Sequence, residues 1–301
     1  MNSIPDLVSG GLVHPQVALG PMTTYKIGGN AEYFARVDTR TELDEVLAAA
    51  TGENLGVTMI GRGSNLLVAT RGVSGIVVRL AGTFSEVEVR TDSVHAGAGA
   101  ALPVLARTAT RVGQRGLEFF VGVPGTVGGA VLMNAGCHGT ETRDVLRSAL
   151  VLDLDSGVAV ERTPAELKLS YRHSNLRPSD VVLSAVFETT NGDVADGERL
   201  MREVTAWRRD HQPGGTHNAG SVFKNPPGDS AGRLIDSIGL KGFRIGGAAV
   251  STRHANFIEA SEEATPEDVY AVIEAVRTRV AREIGIELVR EVVCLGFEDD
   301  A

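Results

Sequence analysis

The 301-residue sequence predicts a mixed α+β protein, and three observations lead to this fold class. Helical and strand-like segments alternate along most of the chain. Hydrophobic residues make up 43% of the sequence, which is enough for a proper core. The Pro/Gly-rich stretch "HQPGGTH" near residue 212 predicts a domain boundary. The 36 glycines exceed the usual share of about 7%, which indicates many tight turns or close approach of the backbone to a ligand.

The elements before the break follow from hydrophobic period and turn residues. Residues 38–52 predict a helix that Thr39 or Thr41 caps and Gly52 stops, and residues 101–113 predict one that Gly113 closes. Apolar or alternating runs predict strands at 57–60, at 75–80, twice within 85–99, in a hairpin over 148–162 and at 180–189. Asp155, Ser156 and Gly157 carry the turn of that hairpin.

Three helices and a final strand are predicted around and beyond the break. An amphipathic helix over 196–210 runs into it, and a short helix over 230–242 is stopped by Gly239. The clearest helix of the chain has Thr265 as its cap, Pro266 at its first position and Gly285 at its end, with an apolar stripe between them. Residues 287–296 predict a closing strand.

Composition excludes several classes of function. The net charge of −9 and the pI near 5.3 argue against non-specific nucleic-acid binding, although local basic groups could still bind a small anion. Two cysteines without metal-type spacing indicate a reducing compartment and no metal site. We find no signal peptide and no apolar run of about 18 residues, so we expect a cytoplasmic protein without a membrane span. The oligomeric state stays open, with a monomer slightly favoured.

Three glycine-rich segments compete as ligand-binding loops. Residues 93–109 follow the order strand, G-x-G and helix, but the third glycine of a dinucleotide-binding turn is absent. In residues 59–72, Gly61 and Gly63 could let consecutive N–H groups converge into an anion nest that suits a pyrophosphate; a plain turn is the alternative. Residues 119–139 hold six glycines among small apolar side chains, which indicates backbone packed on a cofactor or within a tight core.

Ser221 lies in "HNAGSVFKNPPGDSAG" and has no obvious catalytic base near it. The stretch does not match the G-x-S-x-G pattern of a nucleophile elbow. From these residues alone, a turn serine beside Gly220 is the simpler interpretation.

Seven segments together resemble the UDP-N-acetylenolpyruvoylglucosamine reductase family. They span nearly the whole chain in the family's order and are specific only jointly. The segments are "TTYKIGGNAEYF" (23–34), "GRGSNLLV" (61–68), "GLEFFVGVPGTVGGAVLMNAG" (116–136), "LSYRHSNL" (169–176), "NAGSVFKNP" (218–226), "GLKGFRIGGAAVSTRHANFI" (239–258) and "ELVREVV" (287–293).

The resemblance implies an FAD-binding fold of the vanillyl-alcohol-oxidase type in two subdomains, 1–82 and 83–211, followed by a C-terminal α+β substrate-binding domain, 212–301. It implies non-covalent FAD, NADPH as co-substrate, and reduction of UDP-N-acetylglucosamine enolpyruvate to UDP-N-acetylmuramate for peptidoglycan synthesis. The spacing after Ser221 is similar to that of the shorter of two subclasses. The implied FAD contacts are Gly61, Arg62, Gly63, Ser64, Asn65, Leu66, Gly122, Val123, Pro124, Gly125, Thr126, Gly129 and Asn134.

The resemblance also assigns the catalytic residues. Ser221 would donate a proton to the strongly basic carbon that remains after hydride transfer, so it needs no activating histidine. Arg172 would hold the substrate carboxylate through its planar fork, and Glu291 would hold a water or the enol nearby. The implied substrate contacts are Tyr171, Lys224, Asn225 and His211, with Arg244 and His254–Asn256 as further candidates.

Four positions depart from the family pattern. Arg62 replaces a glycine, and His211 replaces a lysine that contacts the substrate diphosphate, so nucleotide affinity is in doubt. Val289 and Arg290 replace a Glu-Pro pair. Two alternatives therefore remain: an oxidase or dehydrogenase on the same flavin fold, with Cys137 or His138 as points of covalent attachment, and a non-catalytic paralogue that binds flavin or a UDP-sugar.

Overall fold

The computed structural model describes residues 2–214 and 217–297, and the chain forms two compact units. Unit 1 consists of Met1–His14, Ala35–Arg62 and Val77–Arg208, and unit 2 of Pro15–Phe34, Gly63–Ile76 and Arg209–Ala301. Each unit is thus assembled from three separate stretches of chain. The single boundaries that the sequence predicts after residues 82 and 211 stay a prediction.

Within the described residues there are eight α-helices and three short 3₁₀ helices, and none of the helices is long and apolar enough to cross a membrane. The α-helices are α1 (Ile4–Ser9), α2 (Arg40–Gly52), α3 (Leu102–Arg111), α4 (Val127–Met133), α5 (Thr142–Val145), α6 (Val194–His211), α7 (Ala231–Ser237) and α8 (Pro266–Ile284). The 3₁₀ helices are Gly20–Met22, Gly82–Ser85 and Glu118–Gly122.

The same part of the chain contains 18 strands, which pair in small sheets. They are β1 (Val13–Ala18), β2 (Asn30–Val37), β3 (Val57–Met59), β4 (Leu66–Val68), β5 (Val73–Leu80), β6 (Val87–Val89), β7 (Ser93–Gly97), β8 (Gln114–Arg115), β9 (Gly136–Cys137), β10 (Thr140–Glu141), β11 (Leu146–Asp153), β12 (Ala159–Arg162), β13 (Asp180–Glu188), β14 (Thr190–Asn191), β15 (Arg244–Ile245), β16 (Ala248–Val250), β17 (Ile258–Ala260) and β18 (Val293–Leu295). The larger sheets have the orders β1-β2-β5-β3, β12-β11-β13-β7-β6 and β15-β16-β17.

The main sheet of unit 1 is antiparallel throughout, with β13 between β11 and β7. A dinucleotide-binding turn needs a parallel βαβ unit, so that interpretation of residues 93–109 is wrong. The two glycines of this segment, Gly97 and Gly99, instead allow close packing of the backbone. A side chain at Gly97 would overlap the carbonyl of Phe84, and one at Gly99 would overlap the carbonyl of Leu80.

The core of unit 2 is built on α8 and the sheet β15-β16-β17. Thr265 and Asp268 form a capping box at the start of α8, where the Thr265 hydroxyl accepts from the Asp268 N–H at 3.1 Å. Gly285 ends the helix in the left-handed conformation. The buried stripe packs into one apolar cluster together with Val222 and Phe223, which follow Ser221 directly. The core therefore anchors the segment that carries this serine.

Most predicted elements are confirmed, among them the hairpin over 148–162 and both ends of α8. α2 ends at Gly52 as predicted, but the residue in the left-handed conformation after it is Asn54 (φ 54°), because asparagine also tolerates that region. One predicted element is wrong in its length. The closing strand has only the three residues of β18, which pair in parallel with β4.

Candidate active site

The predicted pyrophosphate loop begins in unit 1, directly after β3. The Ile60 N–H donates to the Val78 carbonyl at 2.9 Å, and a side chain at Gly61 would lie 2.7 Å from the Thr126 hydroxyl. Two segments that the sequence assigns to the cofactor, at Gly61 and at Thr126, therefore lie against each other. Only glycine permits that approach.

Positive charge is concentrated around this part of unit 1. Arg62 is exposed and Arg79 is half-buried, and within the described residues neither guanidinium forms an ion pair. Burial lowers the pKa of Arg79, and the charges of Arg62 and Arg36 lower it further. Like charges placed together favour binding of an anion, and of these three arginines only Arg36 has an ion pair within the described residues, with Asp38 at 3.3 Å. Sequence reasoning missed Arg79 because nothing along the chain relates it to Arg62.

The loop continues in unit 2 with Gly63, Ser64 and Asn65. Gly63 has a φ of 63°, and a side chain there would overlap the carbonyl of Met22. The N–H groups of these three residues donate no hydrogen bond to any residue in the described ranges. Consecutive N–H groups in such a turn form a concave site for an anion. The structure thus gives the loop the properties that the sequence predicts for a pyrophosphate site.

The segment from Gly122 to Gly129 in unit 1 contains both tightly packed and exposed residues. A side chain at Gly122 would meet Val204 at 2.8 Å and Cys137 at 2.9 Å, so this glycine serves tight packing. Pro124 and Gly129 are exposed instead. The segment is held by main-chain bonds to residues 98–102, such as the Val127 N–H to the Ala100 carbonyl at 3.0 Å. Tight packing therefore explains Gly122, whereas a contact of Gly129 with the cofactor stays a prediction.

Arg172 lies at the tip of a two-residue turn in unit 1. Ser170 and His173 exchange two backbone hydrogen bonds of 3.1 and 3.0 Å, and Arg172 takes a φ of 51° between them. Its guanidinium donates to the Gly136 carbonyl at 3.0 Å and to the Asn134 carbonyl at 3.4 Å. The exposed ring of Tyr171 lies 5.1 Å from the guanidinium carbon. Strained backbone and these contacts together set the direction of the arginine.

Asn134 holds the turn that carries Arg172 through its side-chain hydrogen bonds. It is fully buried with a φ of 43°, and its amide nitrogen donates to Glu141 and to the Ser170 carbonyl, each at 2.9 Å. Its side-chain oxygen accepts from the Arg143 N–H at 2.9 Å. Because the protein itself uses these side-chain groups, the structure gives Asn134 a positioning role, and its predicted contact with the cofactor stays a prediction.

Ser221 lies in unit 2 on a half-buried, irregular segment. Gly220 precedes it with a φ of 75°, and the Gly220 N–H donates to the Asn218 side chain at 3.1 Å. Within the described residues the Ser221 hydroxyl forms no hydrogen bond. Directly after it, Val222 and Phe223 are buried in the core. The backbone that carries the hydroxyl is therefore fixed, whereas the hydroxyl itself forms no hydrogen bond to a described residue.

The segment of Glu291 pairs with the segment of Ser221. The Glu291 N–H donates to the Val222 carbonyl at 2.7 Å, and the Lys224 N–H donates to the Val289 carbonyl at 2.9 Å. The Asn65 amide donates to the Glu291 carbonyl at 2.9 Å. Unit 2 therefore brings together three groups that the sequence assigned separately: the anion loop, the proton donor and the C-terminal glutamate.

The departures at Val289 and Arg290 leave this pairing intact. Arg290 and Phe223 form an antiparallel bridge, and the Arg290 guanidinium lies 5.5 Å from the Tyr270 ring centre. Val289 is exposed. Because the pairing runs through the main chain, the replaced side chains do not disturb the position of Glu291.

A second main-chain link in unit 2 passes through Thr24. Its N–H donates to the Gly63 carbonyl at 3.1 Å, and its carbonyl accepts from the His217 N–H at 2.7 Å. The segment "TTYKIGG" thereby joins the anion loop to the stretch that leads to Ser221. The sequence pointed to this segment only through the resemblance and gave no role to it.

The remaining predicted substrate contacts lie on separate elements of the fold. Asn225 accepts the Ala231 N–H at the start of α7, with 3.0 Å between nitrogen and oxygen, and His211 is the exposed last residue of α6. Arg244 is exposed in β15. Asn256, by contrast, is buried at 3% exposure and bonds to the backbone beside Ser221, so the structure does not support it as a substrate contact.

Two family models match the chain, and close relatives extend over most of its length. The model described as an FAD binding domain matches residues 31–162, and that of the UDP-N-acetylenolpyruvoylglucosamine reductase C-terminal domain matches residues 212–295. The reductase of this name from Heliobacterium modesticaldum is 45% identical over 276 residues, which cover 91% of this chain and 88% of the relative. The chain belongs to the UDP-N-acetylenolpyruvoylglucosamine reductase family.

Other members of the reductase family agree with this result. The UDP-N-acetylenolpyruvoylglucosamine reductase 2 of Symbiobacterium thermophilum is 44% identical over 91% of this chain and 89% of its own. The crystal structure of the reductase from Thermus caldophilus superposes with a TM-score of 0.82 at 38% identity and covers 94% of this chain and 98% of that one. The predicted family, the FAD-binding fold with a C-terminal reductase domain, and the class of FAD-dependent oxidoreductase in peptidoglycan synthesis are confirmed.

The residues present fit FAD. In unit 2, the loop residues Gly63 to Asn65 offer three backbone N–H groups, which suit a pyrophosphate. In unit 1, Arg62 and Arg79 offer positive charge, which favours an anion. Pro124 and Gly129 are exposed on the segment that the resemblance assigns to the cofactor. The assignment of individual residues to the cofactor stays a prediction.

The Gly63→Ala variant should lose much of its affinity for FAD. A methyl group there would overlap the Met22 carbonyl, and the positive φ adds a cost of about 1–2 kcal/mol for a non-glycine residue. We expect at least tenfold weaker FAD binding, measured by titration of the apoprotein with flavin fluorescence.

The matched control is Gly285→Ala. Gly285 also has a positive φ, 78°, but a methyl group there meets no atom within 4 Å. This variant should lose thermal stability and keep its FAD affinity. Parental affinity in Gly63→Ala would show that the loop does not bind the pyrophosphate.

Proposed function

We propose that this reductase uses NADPH and non-covalently bound FAD to convert UDP-N-acetylglucosamine enolpyruvate into UDP-N-acetylmuramate, with Ser221 as the proton donor. The observation that carries the proposal is the pairing of the Ser221 and Glu291 segments through the Val222 carbonyl, with 2.7 Å to the Glu291 N–H. This pairing brings together the main chains of two segments, each of which carries a residue that the resemblance assigns to catalysis.

The reaction needs three things of the protein. The terminal methylene carbon of the enolpyruvyl ether must gain a hydride, which bound, reduced FAD supplies. The electron pair that this addition leaves on the adjacent carbon spreads into the carboxylate and must be stabilised. That carbon must then receive a proton.

Ser221 suits the delivery of this proton. Its hydroxyl is not bonded to any residue in the described ranges, and no carboxylate or imidazole is needed to activate it. An alcohol is a weak acid, but the enolate carbon is a strong base, so the transfer need not be uphill. The buried residues Val222 and Phe223 hold the donor in place without constraining the hydroxyl.

Arg172 suits the recognition of the substrate carboxylate. Its guanidinium is half-buried, oriented by the carbonyls of Asn134 and Gly136, and permanently charged. Its planar fork can bind a carboxylate through two hydrogen bonds. The same contact stabilises the charge that spreads into the carboxylate after hydride addition.

Glu291 completes the set of catalytic residues in the proposal. Its backbone is fixed on both sides, by the Val222 carbonyl and by the Asn65 amide. Its half-buried carboxylate can hold a water molecule or the enol oxygen by accepting a hydrogen bond. Lys224, which follows Ser221 on the paired segment, supplies a positive charge for the anionic substrate.

Non-covalent attachment of FAD agrees with the state of Cys137. Its thiol donates to the Phe119 carbonyl at 3.0 Å, and burial raises its pKa to about 11. A thiol that stays protonated at neutral pH is a poor nucleophile, so Cys137 does not favour covalent attachment. A cytoplasmic location and a monomeric state stay predictions.

The visible spectrum of the purified protein tests the proposal. We expect flavin absorbance that survives purification and is released by denaturation, bleaching on anaerobic addition of NADPH, and recovery when UDP-N-acetylglucosamine enolpyruvate is added. Recovery only after oxygen is admitted would identify an oxidase instead. If NADH bleaches the flavin and NADPH does not, only the choice of NADPH as reductant is wrong.

A further inference from the structure

The amide of Asn256 clamps the backbone directly after Ser221. Its side-chain oxygen accepts from the Phe223 N–H at 3.0 Å, and its side-chain nitrogen donates to the Phe223 carbonyl at 2.8 Å. Its main-chain carbonyl accepts from the Val222 N–H at 2.8 Å. All of these groups lie in unit 2, and Asn256 is only 3% exposed. One residue therefore makes three hydrogen bonds to the two residues that follow the serine.

The clamp acts on the C-terminal side of Ser221. On the other side, Gly220 has a left-handed φ of 75° and no heavy atom within 4 Å of the position where a side chain would start. The hydroxyl itself has no hydrogen bond within the described ranges. The direction of the Ser221 side chain is therefore set by the peptide groups of Val222 and Phe223. The Asn256 side-chain amide bonds to both the N–H and the carbonyl of Phe223.

Two partners hold the same short segment from different sides. Asn256 binds the Val222 N–H, and the Glu291 N–H binds the Val222 carbonyl. Any rotation of the Val222 peptides would break a buried hydrogen bond, and an unsatisfied buried group costs about 1–3 kcal/mol. Such a backbone holds a side chain to the narrow range of positions that proton transfer requires.

We propose that Asn256 is a positioning residue that holds the Ser221 hydroxyl in the orientation for proton donation. The proposal rests on the role of Ser221 given above. Asn256 does not touch the substrate; it acts through the peptide groups of residues 222 and 223. Its removal should therefore slow the proton-donating half of the reaction and leave the reduction by NADPH intact.

The test uses the FAD-loaded protein and follows the two halves of the reaction separately by anaerobic stopped-flow absorbance. Asn256→Ala removes both side-chain hydrogen bonds, and Asn256→Asp keeps an acceptor for the Phe223 N–H. Because a misplacement of about 1 Å can cost a factor of about 100, we expect Asn256→Ala to slow substrate-dependent reoxidation at least tenfold. Asn256→Asp should be slowed less, and bleaching by NADPH should change less than twofold in both.

Ser251→Ala is the matched control. Ser251 is 2% exposed and lies in the same connection between β16 and β17, and within the described residues its hydroxyl accepts only from the Arg253 N–H at 3.2 Å. Its loss should leave both half-reactions within twofold of the parent. If Asn256→Ala and Ser251→Ala slow the same steps equally, the clamp is a general structural contact and the proposal is wrong. Loss of FAD from both Asn256 variants would overturn it as well.

A double variant separates this inference from the proposed function. In Ser221→Ala, the further change Asn256→Ala should slow reoxidation by less than twofold, because the group that Asn256 positions is already absent. A full additional tenfold loss would show that Asn256 acts independently of Ser221. Normal reoxidation in Ser221→Ala would instead overturn the role of the serine itself, whereas normal reoxidation in Asn256→Ala alone would overturn only the clamp.

Discussion

Replacement of Ser221 by alanine is expected to slow substrate-dependent reoxidation of the flavin by about 10² to 10⁴, the usual contribution of a positioned general acid. Bleaching by NADPH should stay at the parental rate, because that step takes no proton from the serine. The melting temperature should hardly change, since the hydroxyl forms no hydrogen bond within the described residues. Stopped-flow absorbance and a thermal melt on the same preparation measure all three quantities.

Ser237→Ala is the control for the loss of a serine hydroxyl in unit 2. That hydroxyl donates to the Leu234 carbonyl at 2.7 Å, so its loss should lower stability and spare catalysis. Ser221→Ala should therefore lower the reoxidation rate and keep the melting temperature, whereas Ser237→Ala should lower the melting temperature and keep the reoxidation rate. A Ser221→Ala enzyme that reoxidises at the parental rate would remove the serine as proton donor.

Replacement of Arg172 by lysine is expected to lower kcat/KM for the enolpyruvyl substrate by about 100-fold or more. An ammonium group cannot hold the two carbonyls and bind a carboxylate through a planar fork at once. The backbone should tolerate the change, because Lys26 and Lys168 also have positive φ values in this protein, 64° and 48°. Steady-state kinetics with varied substrate at saturating NADPH measures the effect.

Arg199→Lys, on the exposed surface of α6, provides the matched control for an arginine in unit 1. Its ion pairs are exposed to solvent and contribute little, so kcat/KM should not change. Bleaching of the flavin by NADPH should be normal in both variants. If Arg172→Lys turned over with a parental kcat/KM, recognition of the carboxylate by a guanidinium fork would be wrong.

The sequence predicted the local parts of the fold well because their signals are local. The Thr265 cap, the proline and the terminal glycine of α8 lie within one run of residues, and each stands where the pattern placed it. Gly63 was assigned to an anion loop for its conformational freedom, and the structure shows a positive φ there. Gly52 ends α2 as predicted, although the left-handed conformation after the helix is taken by Asn54.

The parts that the sequence could not predict depend on contacts between distant residues. Arg79 adds to the charge near the pyrophosphate loop only because β5 lies beside β3. Asn256 follows Ser221 by 35 positions, and only the fold shows that its amide bonds to the backbone there. Asn134 was assigned to the cofactor by resemblance, while the structure shows how it supports the turn of Arg172.

The most direct test of the central claim is the product of a single anaerobic incubation with NADPH and UDP-N-acetylglucosamine enolpyruvate. We expect UDP-N-acetylmuramate, which carries two more hydrogen atoms than the substrate, in a ratio of one to the NADPH consumed. In D₂O the carbon next to the carboxylate should acquire deuterium, because the Ser221 hydroxyl exchanges its proton with solvent. Unchanged substrate, or NADPH consumption that requires oxygen, would contradict the account.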